Sequence, residues 1–375
     1  MGKWSGEDER HMRRALELAE RGRGTTSPNP MVGCVIVAGG RVVGEGWHER
    51  AGGPHAEVVA LQQAGEAARG ATVYVTLEPC ARYGRTPPCT GALIKAGVAR
   101  VICALRDPTE SGGGLEELAR AGVEVAHGLL ERRARRQNEA WLKWSASGLP
   151  FVTLKLAATL DGQIAARGRG GEKVSGKAAH ERVHALRAAS DAVLVGVGTV
   201  LADDPRLTAR PREGEVKRQP LRVVLDSALR TPPEARVADV SLAPTVIFAG
   251  PEHDPKNRER LSAQGVEIVE VGRGEQGVDL GAVLAELGRR EVLSLLVEGG
   301  SAVATSFVRE GLADKLVLYL APKLLGSARG VPIVGDLGID QIAAAVALAE
   351  VSVQRCGEDV EVVAYFEREA CSRAS

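Results

Sequence analysis

The sequence predicts an α/β protein with two domains, and three observations support that prediction. Hydrophobic runs of strand length alternate with segments of helical spacing along most of the chain, which is typical of α/β folds. The chain has 375 residues, enough for two hydrophobic cores, since one domain commonly holds about 100 to 200 residues. Residues 145–150 are mostly small and break the pattern, so we place the domains at residues 1–148 and 149–375.

The first domain shows this alternation over its whole length. Apolar residues recur at helical spacing within residues 7–21, which predicts a helix that ends at the glycines that follow. Apolar runs predict strands with helices between them, at residues 33–37, 41–46, 72–77 and 100–104. This order predicts a three-layer α/β/α sandwich. A charged segment, residues 130–144, predicts a helix that leads towards the second domain.

The second domain carries more strands and predicts a larger sheet. The first strand opens at Phe151, and the others are residues 191–196, 221–225, 245–249, 266–271, 294–297 and 315–320. Because helical segments separate the strands, we expect a mainly parallel sheet with helices on both faces. Ligands of such sheets bind at the carboxyl ends of the strands.

Composition argues against some classes of function. Lys plus Arg equals Asp plus Glu at 48 each, and aromatic residues make up 3% of the chain. Nucleic-acid-binding domains usually need a basic face and often aromatic platforms. No apolar run reaches the roughly 18 to 20 residues that span a bilayer, and the first residues lack the apolar core of a secretion signal. We therefore expect neither a nucleic-acid partner nor a membrane partner.

The cysteines indicate a reduced protein. Of the six cysteines, Cys34 and Cys103 fall within apolar, strand-like runs, and Cys356 and Cys371 lie near the C-terminus. The other two belong to the motif described next. This scatter suits a cytoplasmic protein with free thiols better than a disulfide framework.

One motif carries recognisable chemistry. His55, Glu57, Cys80 and Cys89 supply one imidazole, one carboxylate and two thiols. Catalytic zinc takes three protein ligands and keeps a fourth position for water, and nucleobase deaminases use a histidine, an unligated glutamate and two cysteines in this order. Eight residues separate the two cysteines here, which is longer than the spacing of about two in the general signature. The alternative is that these are unrelated core residues.

The local context favours the zinc interpretation. Residues 73–77 predict a buried strand that ends shortly before Cys80, and loops at strand ends often carry function. Cys89 precedes a predicted helix start, where the helix dipole lowers the pKa of a thiol. Pro54 suits the first turn of a helix through Glu57. Zinc lowers the pKa of its bound water to roughly 7, so we expect Glu57 to move protons between that water and a departing amine.

Two glycine-bearing turns follow predicted strands of the second domain. The turn from Gly196 to Thr199 lacks the third glycine of a dinucleotide fingerprint, and a tight structural turn explains it equally well. The turn from Glu298 to Ser301 precedes a helical segment over residues 302–309. Ser301 suits the N-cap there and the helix N-terminus favours a phosphate. A simple strand-to-helix turn is the alternative.

Two segments of the first domain, residues 27–37 and 76–89, resemble the riboflavin-pathway deaminases. In that family the zinc loop has the longer spacing, and the resemblance implies that Asn29 contacts the pyrimidine. The C-terminal half is similar to the family's reductase, so nearly the whole chain resembles the bifunctional deaminase/reductases of riboflavin biosynthesis. The resemblance implies a cytidine deaminase-like first domain and a dihydrofolate reductase-like α/β second domain.

The resemblance also implies two consecutive reactions. A diaminopyrimidinone ribosyl phosphate is deaminated hydrolytically with Zn²⁺, and NADPH then reduces its ribosyl group to ribityl. The expected product is an aminouracil that carries a ribitylamino group, and the phosphate is attached to the ribityl chain. The family further implies a homo-oligomer, either a dimer or a tetramer, built on the second domain. The charge pattern of the chain does not separate NADPH from NADH.

Specific contacts in the second domain follow from the resemblance. The implied NADPH contacts are Ala157, Lys173, Thr199, Asp203, Ser227, Gly300 and Ser301. The implied substrate contacts are Gly171, Arg187, Leu207, Arg210 and Glu298, in addition to Asn29. Arginine binds phosphate oxygens in a fork, which suits the two arginines; without the resemblance both are expected to be surface charges. Lys155 resembles the family's active-site lysine, a proton donor or carbonyl-polarising group, with an ordinary strand-end lysine as the alternative.

Four places depart from the family pattern, one of which is a loop at Asp107 and Pro108 that is shorter than in the family. Ala81 and Arg82 replace a serine and a histidine in the zinc loop, Lys173 replaces a tryptophan, and Gly171 replaces a serine. None of these changes removes a candidate metal ligand. Two further hypotheses therefore stay open: a deaminase whose second domain only binds or oligomerises, and a zinc-stabilised binding module without catalysis.

Overall fold

The computed structural model describes residues 4–83, 87–166, 173–212 and 216–367. The chain divides into two compact units, Met1–Gly148 and Leu149–Ser375.

The first unit is built on one five-stranded sheet. Its helices are α1 Gly6–Glu20, α2 Ala56–Ala64, α3 Cys89–Ala96, α4 Gly114–Arg120, α5 Glu131–Gln137 and α6 Glu139–Ser147. Its strands are β1 Gly33–Ala38, β2 Arg41–Trp47, β3 Thr72–Leu77, β4 Arg100–Leu105 and β5 Glu124–His127. The strand order is β2-β1-β3-β4-β5. Strand β1 is antiparallel to both of its neighbours, whereas β3, β4 and β5 are parallel.

Helices cover both faces of this sheet, and two glycines show how closely they approach. A Cβ atom on Gly33 of β1 would lie 2.0 Å from the carbonyl oxygen of Ala15 in α1. Gly33 is paired with Trp47, so the adjacent Gly46 points to the opposite face. A Cβ atom there would lie 2.3 Å from the carbonyl oxygen of Ala56 in α2. The predicted α/β/α sandwich is therefore confirmed, and helix backbone leaves no room for side chains at these glycines.

The charged segment at residues 130–144 forms two helices rather than the single predicted one. Helices α5 and α6 meet at Asn138, which has φ −108° and ψ 21°. The Asn138 side chain donates to the Met31 carbonyl at 2.9 Å and accepts from the Met31 amide at 2.8 Å. This long-range contact accompanies the interruption, which explains why local periodicity did not reveal it.

The second unit is built on a nine-stranded sheet. Its helices are α7 Lys177–Ala189, α8 Val197–Asp203, α9 Pro255–Ala263, α10 Leu280–Arg289 and α11 Ser301–Arg309. Its strands are β6 Phe151–Thr159, β7 Gln163–Ala166, β8 Ala192–Gly196, β9 Leu221–Leu225, β10 Thr245–Ala249, β11 Glu267–Glu270, β12 Arg273–Gly274, β13 Gly277–Val278, β14 Ser294–Val297, β15 Lys315–Ala321, β16 Gly330–Pro332, β17 Leu348–Cys356 and β18 Asp359–Phe366. Nine of these strands form the large sheet, in the order β11-β10-β9-β8-β14-β6-β15-β18-β17, while β7 pairs with β16 and β12 pairs with β13 in two small sheets.

This sheet is parallel from β11 to β15 and antiparallel from β15 to β17. Alternate residues of β8 pack into different apolar clusters, Leu194 on one face and Val193 and Val195 on the other. Burial of both faces explains the continuous apolar runs in the sequence. The hairpin of β17 and β18 was not predicted, because β17 is exposed along most of its length and has no such run.

Two further features bear on the class of protein. None of the described helices is both long enough and apolar enough to cross a membrane. The five cysteines within the described residues are free, and Cys371 lies outside those residues.

Candidate active sites in the two units

Three side chains of the first unit converge as a candidate metal centre. The ligand atoms of His55, Cys80 and Cys89 all lie within 4.8 Å of one another. The His55 Nδ1 atom is 3.2 Å from the Cys89 sulfur and 3.6 Å from the Cys80 sulfur. Tetrahedral zinc with its usual bond lengths would separate a nitrogen and a sulfur ligand by about 3.5 Å. The donor set and its spacing therefore fit zinc.

Local structure explains why these three residues meet. His55 is the N-cap residue of α2 and Cys89 is the first residue of α3, so both stand at helix N-termini. Cys80 lies just beyond the end of β3, and its sulfur accepts the Cys89 backbone N–H at 3.3 Å. A hydrogen bond from the Cys89 thiol, and a second one with His55, lower the pKa of the Cys80 thiol. The same contact with Cys80 raises the pKa of the Cys89 thiol, so the lowering that its helix start predicted is outweighed while the two thiols share a proton. A low thiol pKa suits a metal ligand, since the thiolate is the form that binds.

Glu57 lies in the first turn of α2, two positions after His55. It is buried, with 3% of its surface exposed. Burial raises the pKa of the Glu57 carboxyl, and the charge of His55 opposes that rise. A buried carboxyl beside the metal-ligand cluster is placed to take up and release a proton.

A residue that the sequence reasoning missed, His48, organises the predicted pyrimidine contact. The buried His48 ring has its Nδ1 atom 2.9 Å from the Pro54 carbonyl oxygen and its Nε2 atom 3.0 Å from the Asn29 side-chain nitrogen. Because a carbonyl only accepts, the ring proton belongs on Nδ1, and Nε2 accepts from Asn29. This arrangement leaves the Asn29 side-chain oxygen for another donor. The position of His48 directly after β2 was the available signal.

The altered zinc loop places its cation at the surface. Arg82 is exposed and lies 3.4 Å from Glu110, which is more exposed still. Such an exposed pair holds its partners weakly. The Arg82 guanidinium therefore remains available to other anions. The methyl side chain of neighbouring Ala81 offers no polar group, while its backbone N–H donates to the Ser111 carbonyl at 3.2 Å.

In the second unit, four of the predicted cofactor contacts line one cavity of about 740 Å³: Thr199, Asp203, Gly300 and Ser301. The cavity lies where β8 passes into α8 and where β14 leads to α11. Its described lining does not include Ala157, Lys173 or Ser227. Gly171 lies outside the described residues.

The cavity wall depends on two glycines that pack against Val303 of α11. A Cβ atom on Gly299 would lie 2.6 Å from the Val303 Cβ atom, and one on Gly196 would lie 2.8 Å from a Val303 methyl group. The prediction that Ser301 is the N-cap of this helix was wrong. The cap is Gly300, with no side-chain hydrogen bond, and Ser301 is the first helical residue. The free backbone N–H groups of this helix start therefore face no capping side chain.

Glu298 lies two residues before Gly300 of the cavity wall. It forms a buried charge cluster with two other predicted site residues, Arg187 and Lys155. Arg187 donates to the Glu298 carboxylate through Nε at 2.6 Å and through Nη2 at 2.9 Å. In the parallel register Val297 is paired with Leu154, so Glu298 and Lys155 follow side by side. Burial tends to raise the pKa of Glu298, but Arg187 and Lys155 outweigh it and the net shift is downwards.

The same cluster acts on Lys155. Burial lowers the pKa of the Lys155 amine, while the charge of Glu298 opposes that shift. The fork of Arg187 that was predicted to hold a phosphate is engaged by Glu298, so Arg187 orients the carboxylate in this structure. Arg210 is exposed and contacts Thr208 through Nη1 alone. Leu207 is 1% exposed, which leaves its backbone rather than its side chain for a ligand.

Comparisons with known proteins cover both units. Residues 5–105 match the family model described as the cytidine and deoxycytidylate deaminase zinc-binding region, and residues 150–362 match the RibD C-terminal domain. The riboflavin biosynthesis protein RibD of Aquifex aeolicus is 43% identical over 96% of this chain and 98% of the relative. The RibD of Escherichia coli is also 43% identical, over 94% of this chain and 98% of the relative.

Solved structures agree with this comparison. RibD from Acinetobacter baumannii superposes with a TM-score of 0.87 at 37% identity, covering 96% of this chain and 99% of that chain. A diaminohydroxyphosphoribosylaminopyrimidine deaminase/5-amino-6-(5-phosphoribosylamino)uracil reductase from Thermotoga maritima superposes with a TM-score of 0.84 at 35% identity, with the same coverage. Since the similarity runs through both units and their candidate sites, this chain belongs to the RibD family of riboflavin biosynthesis proteins.

Proposed function

We propose that the chain catalyses two consecutive reactions of riboflavin biosynthesis, a hydrolytic deamination in the first unit and an NADPH-dependent reduction in the second. The substrate is a diaminopyrimidinone ribosyl phosphate, and the product is a ribitylamino uracil phosphate. The observation that carries the proposal is the convergence of His55, Cys80 and Cys89 beside the buried Glu57. The same chain has a cavity at the strand ends of a reductase-like unit.

In the deaminase site, His55, Cys80 and Cys89 would hold Zn²⁺. Zinc, when bound, lowers the pKa of a water molecule to roughly 7. Glu57 would take one proton from that water as its oxygen adds to the amine-bearing carbon, and pass this proton to the ring nitrogen. It would then take the second proton from the hydroxyl that has formed and pass it to the amine, which leaves as ammonia. Asn29 orients the pyrimidine through its side-chain oxygen, which the contact of its nitrogen with His48 leaves available.

In the reductase site, Thr199, Asp203, Gly300 and Ser301 line the cavity and would contact NADPH there. The backbone N–H groups at the start of α11 suit a phosphate of the cofactor. NADPH, when bound, supplies a hydride to the anomeric carbon of the opened sugar. Lys155 lies in the middle of β6, beside Glu298 at the end of β14, where its amine would donate a proton to the reacting sugar or polarise it. The cofactor contributes the hydride, and the protein supplies orientation and charge.

The substrate phosphate is assigned to Arg210 rather than to Arg187. Both prongs of the Arg187 fork donate to Glu298, whereas the Arg210 contacts with Thr208 use only Nη1. Arginine recognises phosphate through paired N–H groups. Arg187 keeps an indirect part, because it orients the carboxylate beside Lys155.

A homo-oligomer built on the second unit completes the proposal. Leu324, Ile342, Val351 and Val353 are 74%, 94%, 57% and 64% exposed. Two of them lie on β17, the edge strand of the large sheet, and an exposed apolar edge strand can pair with a second copy of the chain.

The proposed compartment is the cytoplasm. The five cysteines within the described residues are free thiols, and thiols persist in a reducing compartment.

The deciding experiment is a paired assay of the full chain with the diaminopyrimidine phosphate, following ammonia release and NADPH absorbance together. Both signals are expected, in that order. Ammonia release without NADPH consumption, even when the deaminated phosphate is supplied, would establish the hypothesis of a second unit that only binds. Absence of both signals from zinc-loaded protein would establish the non-catalytic module.

A further inference from the structure

The segment from Leu207 to Arg210 is held to the second unit by hydrogen bonds from side chains. Arg187 donates through Nη1 to the Thr208 carbonyl at 3.2 Å. The Gln219 side chain forms hydrogen bonds with both backbone groups of Ala209. Its amide oxygen accepts from the Ala209 N–H at 2.8 Å, and its amide nitrogen donates to the Ala209 carbonyl at 3.0 Å. The middle of the segment is therefore fixed by groups other than its own side chains.

The end of the segment that bears Arg210 is held by a histidine. The Arg210 backbone N–H donates to Nδ1 of His184 at 3.2 Å. His184 lies on α7, three residues before Arg187 and on the same side of the helix. Nδ1 accepts a hydrogen bond only when the imidazole is neutral and carries its proton on Nε2. One protonation state of this ring thus fits the observed contact.

We propose that neutral His184 is a positioning residue, which fixes the backbone of Arg210 so that its guanidinium meets the phosphate of the substrate. Protonation of His184 breaks this contact and weakens binding of the phosphorylated substrate to the reductase site. The inference rests on the proposed function in one respect, the assignment of the phosphate to Arg210.

The charges around His184 set the direction of this effect. His180 and Arg187 lie on the same helix, Arg210 lies on the held segment, and Glu298 follows β14. Burial lowers the pKa of His184, as do Arg187 and Arg210, and Glu298 partly opposes them. The ring is neutral above its lowered pKa. As the pH falls through that value, Nδ1 gains a proton and two N–H groups face each other, so the bond is lost.

The test measures the KM for the deaminated phosphate substrate, from NADPH consumption by the full chain between about pH 5.5 and about pH 8.5. The wild-type KM is expected to rise as the pH falls. At the alkaline end, His184→Ala is expected to raise this KM by about threefold to tenfold, which corresponds to one lost hydrogen bond. The kcat and the KM for NADPH should change less.

Two matched variants distinguish a positioning role of His184 from a purely structural one. His184→Gln keeps an acceptor that does not titrate, so it should restore the alkaline KM to within about twofold. It should also reduce the rise in acid to the part that comes from protonation of the substrate phosphate, whose second pKa is about 6. His180→Gln alters the neighbouring histidine on the same helix and should retain the full rise. An acid rise as steep in His184→Gln as in the wild type, or one reduced equally by His180→Gln, would overturn the inference, and so would a His184→Ala variant with the wild-type KM.

A readout without turnover covers the remaining outcomes. If the wild type consumes no NADPH, the proposed function fails, and NMR of the ring nitrogens of isotope-labelled histidine then decides the inference. A His184 ring protonated on Nε2 near about pH 8 supports it. A ring protonated on Nδ1 refutes it. If His184→Ala does not fold, the pH profile of His184→Gln decides.

Discussion

In the first unit the candidate metal ligands and Glu57 come from residues 55–89, at two helix starts and one strand end. In the second unit the reductase site draws on residues from Lys155 to Ser301, on several strands, helices and loops. The first site depends on one histidine and two cysteines that are close together in the sequence. The second site depends on a buried charge cluster and on the wall of a cavity. Closely spaced ligands leave a pattern in sequence, whereas dispersed contacts between common residues do not.

The sharpest test of this contrast separates the two activities. Glu57→Gln removes the proton carrier but none of the candidate ligands, so ammonia release should fall by about 10²- to 10⁴-fold with zinc retained. Reduction of the pre-deaminated substrate should continue at the wild-type rate. Metal analysis and the two assays on one preparation measure this. Undiminished ammonia release would remove Glu57 from the mechanism.

The buried ion pair of the second unit should respond almost as strongly, but in stability. Arg187→Met leaves the Glu298 carboxylate buried without its partner, and the two side chains are only 12% and 8% exposed. The free energy of unfolding of this unit should fall by about 3–5 kcal/mol. Urea unfolding measures the change.

The matched control is an exposed pair of the first unit. Arg10 pairs with Glu7, and their side chains are 63% and 71% exposed. Arg10→Met should cost at most about 1 kcal/mol. Equal effects of the two variants would contradict the account of the charge cluster.

The cavity wall offers a smaller effect that can be reversed. Gly299→Ala forces a methyl group against Val303 and should destabilise the second unit by about 1–3 kcal/mol, with weaker NADPH binding. Val303→Ala in the same chain should recover part of the loss. Gly272→Ala is the control, because a Cβ atom there meets nothing within 4 Å and Gly272 does not line the cavity. Calorimetry and NADPH titration measure both quantities, and additive effects of the pair would argue against the contact.

The smallest expected effect is a pH dependence of the first unit. His11 is 7% exposed, and burial lowers its pKa. The unfolded chain therefore binds more protons than the folded one just below about pH 6.5. The stability that His11 contributes is complete above that pH and is lost as the pH falls, with a slope below about 1.4 kcal/mol per pH unit for one group. Unfolding of the wild type and His11→Gln over this range should show the shallower slope in the variant.

Much of the site in the first unit could be predicted from the sequence. The spacing of His55, Glu57, Cys80 and Cys89 indicated the metal chemistry, and the apolar runs indicated the strands. The role of His48 was not predicted, because a single histidine after a strand has many explanations until its ring is seen in contact with Asn29. The helix break at Asn138 was not predicted either, because it accompanies a contact with Met31, which is far away in the sequence.

In the second unit, the family resemblance named residues that lie near one another but gave no information on which side chains pair. Four implied cofactor contacts share one cavity. The spacing of these residues in the sequence did not indicate that the Arg187 guanidinium would pair with the Glu298 carboxylate. Nor did it indicate that His184 and Gln219 would hold the segment that carries Arg210. Such pairings depend on the parallel register and on the fold of the loops.

The sequence by itself determined the fold class, the alternation of strands and helices and the residue types for zinc, because these depend on local periodicity and closely spaced ligands. Only the tertiary structure decided which charged side chains pair, which helix start is left without a side-chain cap and which histidine accepts a backbone hydrogen bond. Burial is the physical reason. A charged or polar side chain acquires a definite partner and an altered pKa only after the fold has removed water from around it.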